Sequence, residues 1–454
     1  MAKIIIKNFR AIDYAEIEIK PFTVIIGEQA SGKSTISKLV YFFRIIQNEI
    51  AESIYDCLIK NLVENKITNI NDVNFESIKL KLEKELIRKL EIKFYNFFGS
   101  TKKETFNISY LSANYSLSIK PNGKISMEIE SFTQDYISGD KLRHYFILFK
   151  RVLERIGVEH HKDNLRNFSE TIAFPPELII YVPASRSLIT SIVPASQNKF
   201  IAEIDNRTED NQIDYFVKTF LEDIDFYKRN YFFGKSLDEV IDEFELKTGK
   251  ENPKAKQLRD KIKIILKADY QHGNSGEVLL DKRFLKPISL DKASSGQQEV
   301  VWILLTLLSL VLEDNKSFVV IEEPEAHLYP KTQAQVVEYI AQFFNAKEGN
   351  EVIITTHSPY ILTVLNNLLF AKQISVKTHG VENQTIAENI DPNAWLDIDK
   401  FSAYYVGRND EGQYIKSIIN PETGLISVNE LDDASDDIMD TFDNLMDIYK
   451  GAAV

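Results

Sequence analysis

The chain has 454 residues, 44% of them hydrophobic and 27% charged, a composition that fits a globular protein of one large or two to three smaller domains. Its net charge of -13 argues against an overall basic nucleic-acid binder, and its one cysteine, Cys57, excludes an intrachain disulfide and a thiolate metal cluster. The opening residues Met1 to Lys7 are too short and too charged for a signal peptide, and the longest apolar run, Val300 to Leu312, is short for a membrane span. The expected setting is a reducing cytoplasm, with no membrane partner.

Ile4-Ile5-Ile6 and Ala15 to Ile19 read as short strands leading into a third, Phe22 to Ile26. That third run stops at Gly27. Gly27-Glu28-Gln29-Ala30-Ser31-Gly32-Lys33-Ser34, followed by Thr35, has the spacing G-x-x-x-x-G-K-S of a P-loop. The glycines let consecutive N–H groups turn inward, and with the following helix N-terminus they suit a polyphosphate. Lys33 is placed to reach the β- and γ-phosphates of ATP, and the Ser34 hydroxyl to ligate Mg²⁺. A chance glycine turn would not deliver strand, loop, Lys-Ser and helix in this order. The helix carries Ile36, Leu39, Val40 and Phe43 on one face, which must pack on a sheet.

From Ile50 to Phe174 no catalytic motif occurs. Ile78, Leu82, Leu86 and Leu90 recur at helical spacing, but the heptads do not persist, which excludes a long coiled-coil arm. Phe106 to Ile119 and Lys124 to Ile129 alternate in polarity around Pro121-Asn122-Gly123 and read as a hairpin. Leu178 to Pro183 is a buried strand ending near Arg186, which could meet a phosphate or, equally by spacing, form a structural salt bridge. Residues 200–267 read as helical, and their aromatics, Tyr215 to Phe233, as core. Lys254, Lys256, Arg259, Lys261, Lys263 and Lys267 form the strongest basic cluster, read as a solvated helix face rather than a DNA or RNA contact. His160-His161 has no accompanying carboxylate pattern for metal.

Phe318-Val319-Val320-Ile321-Glu322-Glu323 is a buried strand ending in two carboxylates, the shape of a Walker B motif. Glu322 would hold the metal and Glu323 would polarise the attacking water. Just upstream, Ser294-Ser295-Gly296-Gln297-Gln298 reads as a helix start, with Ser295 as cap and Gln298 reaching back. Glu351 to Thr355 is a further buried strand, and one crossover helix separates it from the Walker B strand. Two successive parallel strands end on the same sheet edge, which places His357 near Glu322 and Glu323.

In this order, the P-loop, Ser-Ser-Gly-Gln-Gln, Ile-Glu-Glu-Pro-Glu-Ala-His-Leu-Tyr-Pro and Thr-Thr-His-Ser-Pro resemble the ABC-type ATPase heads of the RecF, SMC and overcoming-lysogenisation-defect group. The nearest likeness is to stand-alone ATPases of bacterial anti-phage systems such as Septu and PARIS. The resemblance covers residues 1–45, 178–187 and 285–370. It implies an α/β P-loop head, a mixed sheet plus N-terminal antiparallel strands, with a largely helical insertion. It also implies a composite site between two heads. Gly27, Glu28, Gln29, Ala30, Ser31, Gly32, Lys33, Ser34 and Thr35 of one copy hold ATP. Ser294, Ser295, Gly296 and Gln297 of the other cap its γ-phosphate, and Ala326-His327-Leu328 crosses the interface. Glu323 and His357 are catalytic, His357 as the switch histidine, while Ser34 and Glu322 hold Mg²⁺. The signature departs from Leu-Ser-Gly-Gly-Gln at Ser294 and Gln297, and no residue is assigned to the family's Q-loop glutamine.

The expected organisation is a head built from 1–48, 176–199 and 285–375, insertions at 49–175 and 200–284, and a tail at 376–454. Within that tail, Tyr404 to Ser417 reads as a hairpin, and Asp432 to Asp447 as acids on an amphipathic helix. Fewer than 100 residues follow His357, too few for a Toprim nuclease domain. The implied partners are a second copy of the chain, in a homodimer or a higher homo-oligomer, and a separate effector of nuclease type. The competing functions are a RecF-like DNA-repair ATPase and a nucleotide-bound scaffold with little turnover.

Overall fold

The computed structural model describes residues 2–60, 73–99, 105–111, 116–121, 125–128, 140–145, 147, 178–184, 186, 214–273, 276–281, 286–407, 414–427, 439, 441–442 and 445–446. Three strands open the chain: β1 (Ala2–Phe9), β2 (Ile12–Ile19) and β3 (Phe22–Ile26). β1 and β2 pair antiparallel with Ile4, Ile6, Ile17 and Ile19 turned inward, whereas every residue of β3 is buried. The P-loop leads into α1 (Lys33–Ile59), and α2 (Phe75–Phe98) starts at Asn74, whose side chain accepts the Ser77 N–H at 3.0 Å.

Of residues 49–175, expected as an insertion, the described helices and strands pack with the P-loop helix and extend the N-terminal sheet. α1 runs through the 48/49 boundary to Ile59. α2 buries Leu82, Leu86, Leu90 and Phe94 in the same core cluster as α1 and β1. Three strands, β4 (Asn107–Leu111), β5 (Ser116–Pro121) and β6 (Ile125–Glu128), extend the N-terminal sheet in the order β2-β1-β4-β5-β6. The hairpin read around Pro121 is present, with Pro121 facing Ile125.

β7 (Leu178–Val182) is followed by α3 (Tyr215–Tyr227), a π-helical turn Lys228–Phe232, α4 (Leu237–Thr248) and α5 (Pro253–Leu266). A small sheet, β8 (Asp269–Gly273), β9 (Gly276–Leu280) and β10 (Ile288–Ser289), leads to α6 (Ser295–Glu313). The aromatic stripe is core at Phe216, Phe220, Tyr227 and Phe232, while Phe226 and Phe233 are exposed. The basic cluster faces acids of its own chain. Lys256 pairs with Glu245 at 2.9 Å, Arg259 and Lys263 with Asp238 at 2.9 and 2.7 Å, and Lys261 with Glu338. These four residues thus form a seam between helices, while Lys254 and Lys267 are exposed as expected of a solvated face. The π-turn buries Lys228 in an ion pair with Glu277.

The remainder alternates strand and helix: β11 (Ser317–Glu322), α7 (Pro330–Ala346), β12 (Glu351–Thr356), α8 (Pro359–Lys377), α9 (Val381–Asn389), β13 (Phe401–Val406) and β14 (Ile415–Ser417). The central sheet has the order β14-β13-β3-β12-β11-β7, parallel except for β14. β13, expected in a separate tail, is thus an inner strand of the head. Both faces of this sheet are covered, which is why its strands read as continuous apolar runs. Phe22, Val24, Ile26, Val319 and Ile321 share one core with α6, α7 and α8, and Ile25, Phe318, Val320 and Ile353 share the other with α1. Fully burying each such side chain contributes about 1.5–3 kcal/mol. α6 is long and apolar enough to cross a membrane, but Val300 to Leu312 lie buried in this core. His160-His161 and the Asp432–Asp447 acids lie outside the described residues.

Candidate active site

The parallel register aligns the carboxyl ends of the strands. Ile26 lies beside Thr356 and Tyr405, Thr355 beside Glu322, and Ile321 beside Val182. The P-loop, Glu323, His357 and the segment holding Arg186 therefore leave one sheet edge, the place where open α/β sheets bind ligands.

A side chain at Gly27 would overlap the Val406 carbonyl of β13, so only glycine fits there. Ala30 (φ 61°) and Gly32 (φ 95°) adopt left-handed backbone, and Gly32 precedes α1 directly. Glu28, Gln29, Ala30 and Ser34 are exposed, Ser31, Gly32 and Thr35 half-buried, and Lys33 only 6% exposed. The Lys33 ammonium donates to the Gly27 and Glu28 carbonyls at 2.7 and 2.6 Å, bonds that phosphate oxygens can replace. Burial lowers its pKa, opposed by the charges of Glu323 and Glu325. The Tyr414 hydroxyl beyond β13 donates to the Ser31 carbonyl at 2.7 Å and braces the loop from outside.

Glu322 is 6% exposed. Its Oε2 accepts the Ala184 N–H at 3.3 Å, while its Oε1 is buried with no hydrogen-bond partner among the described residues. The Ser31 Oγ is orphaned in the same way. Two unpaired buried oxygens, one on the phosphate loop and one on the acidic strand, fit a site that receives a cation and polar ligand atoms. Glu323 follows at φ 43°, a left-handed backbone that costs a non-glycine residue roughly 1–2 kcal/mol. Hydrogen bonds over-determine it. Its N–H donates to the Thr355 carbonyl at 2.8 Å, and its carbonyl accepts the Ala326 N–H at 3.0 Å and Arg186 Nη2 at 2.9 Å.

His357 Nδ1 lies 3.6 Å from Glu323 Oε1 and 3.4 Å from Glu325 Oε1. Glu325 Oε1 also accepts the Thr356 hydroxyl at 2.6 Å and the His357 N–H at 2.9 Å, so this buried carboxylate fixes the backbone at the end of β12 and stands beside the His357 ring. Ser358 Oγ donates to Gln333 Oε1 at 2.7 Å, and Gln333 Nε2 to the Leu328 carbonyl at 2.9 Å, tying the end of β12 to the loop after β11.

The α6 N-terminus differs by one residue from the expected cap. Ser294 is the N-cap, and Gln297 at N3 reaches back to its N–H and hydroxyl at 3.1 and 2.9 Å. Gln297 Nε2 is engaged with the Leu266 carbonyl at 2.7 Å, and Gln298 with the Asp291 and Ala293 carbonyls. Ser294 and Ser295 are exposed. Gly296 is buried against the loop of its own chain, where a Cβ would stand 2.8 Å from the His327 carbonyl oxygen. Arg186 meets carbonyls and a carboxylate, Glu299, rather than facing outward. Sequence reasoning assigned no role to Glu325, Tyr414 or Glu299; only Glu325 had a signal, its place two residues after Glu323.

The family model described as an AAA ATPase domain matches residues 1–362. The chain belongs to the AAA ATPase domain family. Among curated proteins it is similar to the "Retron Vc95 probable ATPase" of Vibrio cholerae serotype O1 biovar El Tor, 23% identical over 410 residues, 81% of this chain and 73% of that one. Among solved structures it is similar to an SMC head bound to the C-terminal winged-helix domain of ScpA (TM-score 0.41, 10% identity, 91% of this chain and 96% of that one). It is similar too to the SMC head domain from Thermotoga maritima (TM-score 0.34, 10% identity, 92% and 98%). Both scores lie below 0.5, and the assignment as a P-loop ATPase domain rests on the family match, the strand order and the P-loop instead.

Proposed function

We propose that this chain binds and hydrolyses ATP in a site completed by a second copy of itself, and that the ATP-driven assembly controls a separate effector of nuclease type in anti-phage defence. The observation that carries the ATPase reading is the convergence of Lys33, Glu322, Glu323 and His357 at one sheet edge, with Glu323 and His357 side chains 3.6 Å apart. Lys33 and the P-loop N–H groups bind the phosphates. Ser34 and Glu322 would hold Mg²⁺, which neutralises charge on the β- and γ-phosphates. Glu323 accepts the proton of a water whose oxygen attacks the γ-phosphorus, the ADP oxygen leaving, and His357, whose N–H is held by Glu325, faces the γ-phosphate. Exposed Ser294 and Ser295 at the start of α6 support a capping role toward a partner's nucleotide. The defence role rests on the motif resemblance and on the retron relative.

The decisive variant is Glu323→Gln, which keeps size and removes the base. Turnover should fall about 100-fold or more while ATP binding persists. Equal hydrolysis before and after the change contradicts the assignment, and negligible hydrolysis in the parent protein leaves the scaffold reading. A RecF-like role predicts DNA binding that weakens with salt; the internally paired basic seam gives it no support.

A further inference from the structure

Arg186 is fully buried, and its guanidinium joins its own segment to two others that lie 113 and 136 residues further along the chain. Nη1 donates to the Pro183 carbonyl at 2.8 Å and to the Glu322 carbonyl at 2.6 Å. Nη2 donates to the Glu323 carbonyl at 2.9 Å. Nε donates to the Glu299 carbonyl at 3.2 Å and lies 3.3 Å from Glu299 Oε2. Glu299 belongs to the second turn of α6, whose first turn carries Ser295 and Gly296. The same fork thus grips the helix that would cap a partner's nucleotide and the two residues that would hold metal and water.

We infer that Arg186 is a positioning residue that couples the seating of α6 to the backbone of Glu322 and Glu323, so that engagement of one copy's α6 sets the hydrolytic carboxylate of that copy. The inference rests on the composite site proposed above. Only a planar fork can serve consecutive carbonyls on one side and a helix on the other; a lysine ammonium is a single point. Glu323 occupies left-handed backbone held by its surrounding bonds, one of which is the Arg186 Nη2 bond. The contact of Gly296 with the His327 carbonyl ties the far end of the same loop to α6, so the helix meets the Glu322–Leu328 segment at two points. A displacement of α6 is passed to that segment through Arg186 at one end and Gly296 at the other.

Arg186→Lys tests this in the full chain, with Glu299→Gln beside it because it keeps size and an acceptor oxygen while removing the charge. In Arg186→Lys the expected result is a fall in kcat of about 30-fold or more, with KM and ATP affinity within about threefold of the parent. That variant should also accumulate an ATP-dependent dimer, as Glu323→Gln should. A merely structural arginine would instead lose ATP-driven dimerisation together with turnover, and that result overturns the inference. So does a folded variant with kcat within threefold. If Arg186→Lys fails to fold, Glu299→Gln decides: a kcat drop of about fivefold or more at unchanged KM supports the coupling, and a change under that refutes it. Absence of ATP-driven dimers in both the parent and Glu323→Gln defeats the composite site itself and this inference with it, an outcome distinct from a failure of Arg186 alone.

Discussion

Gly296→Ala separates two roles that one glycine can have. If Gly296 serves only a partner's phosphate, its replacement is silent in the free chain. In this structure an added Cβ meets the His327 carbonyl oxygen at 2.8 Å and Leu328 Cδ2 at 3.1 Å. The Leu328 methyl can shift, but the backbone oxygen cannot yield cheaply, because His327 already stands at φ 58° and the next carbonyl, of Leu328, is held by Gln333. Overpacking of this kind costs about 1–3 kcal/mol. With an unfolding entropy of roughly 2.1 cal/mol/K per residue over 454 residues, that corresponds to a melting temperature about 1–3 °C lower. The assay is differential scanning calorimetry without nucleotide, followed by turnover at saturating ATP, where the displaced loop should cost about tenfold or more in kcat. An unchanged melting temperature in the nucleotide-free protein would refute the intramolecular contact.

Tyr414→Phe removes the brace on Ser31 and nothing else of the ring. Losing one net hydrogen bond of about 0.5–1.5 kcal/mol should weaken ATP binding about 2- to 10-fold with kcat unchanged; equal affinity in a titration would discard the brace. Asp223 gives a pH signature. Burial pushes its carboxyl from 3.8 up to about 8, with Glu222 adding to the shift. The folded chain then keeps a proton that the unfolded chain gives up, so stability is full below about pH 4 and is lost as pH rises toward 8. Asp223 keeps some solvent contact, which reduces the amplitude. Asp223→Asn should raise the melting temperature at pH 8 relative to pH 5, and a difference from the parent that is equal at both pH values would reject this.

What the sequence revealed follows from locality. The P-loop, the Glu322-Glu323 strand end and Thr356-His357 are contiguous patterns, and short crossovers force their strands onto one edge. The cap at α6 was ambiguous because Ser-Ser-Gly-Gln-Gln offers two overlapping capping boxes. Tertiary contacts choose between them: Gln297 also bonds Leu266, and Gly296 must face His327. The pairing of β4 with β1, about 100 residues away, leaves no local trace, and neither does the entry of β13 beside β3. Arg186, Glu299 and Tyr414 act through bonds spanning 113 to 383 residues, so their residue types alone could not announce them. Lys256, Arg259, Lys261 and Lys263 read as a solvated face because their acidic partners lie on other elements.

Mixing two inactive variants tests the composite site most directly. Lys33→Ala removes nucleotide binding but leaves α6 intact, and Ser295→Arg blocks the cap but leaves the P-loop intact. Each alone should be inactive. An equimolar mixture should regain ATPase activity up to about half of the parental level, since only mixed dimers can assemble on ATP and each holds one complete site of its two. No recovery on mixing, or full activity of either variant alone, would contradict a nucleotide site shared between two copies.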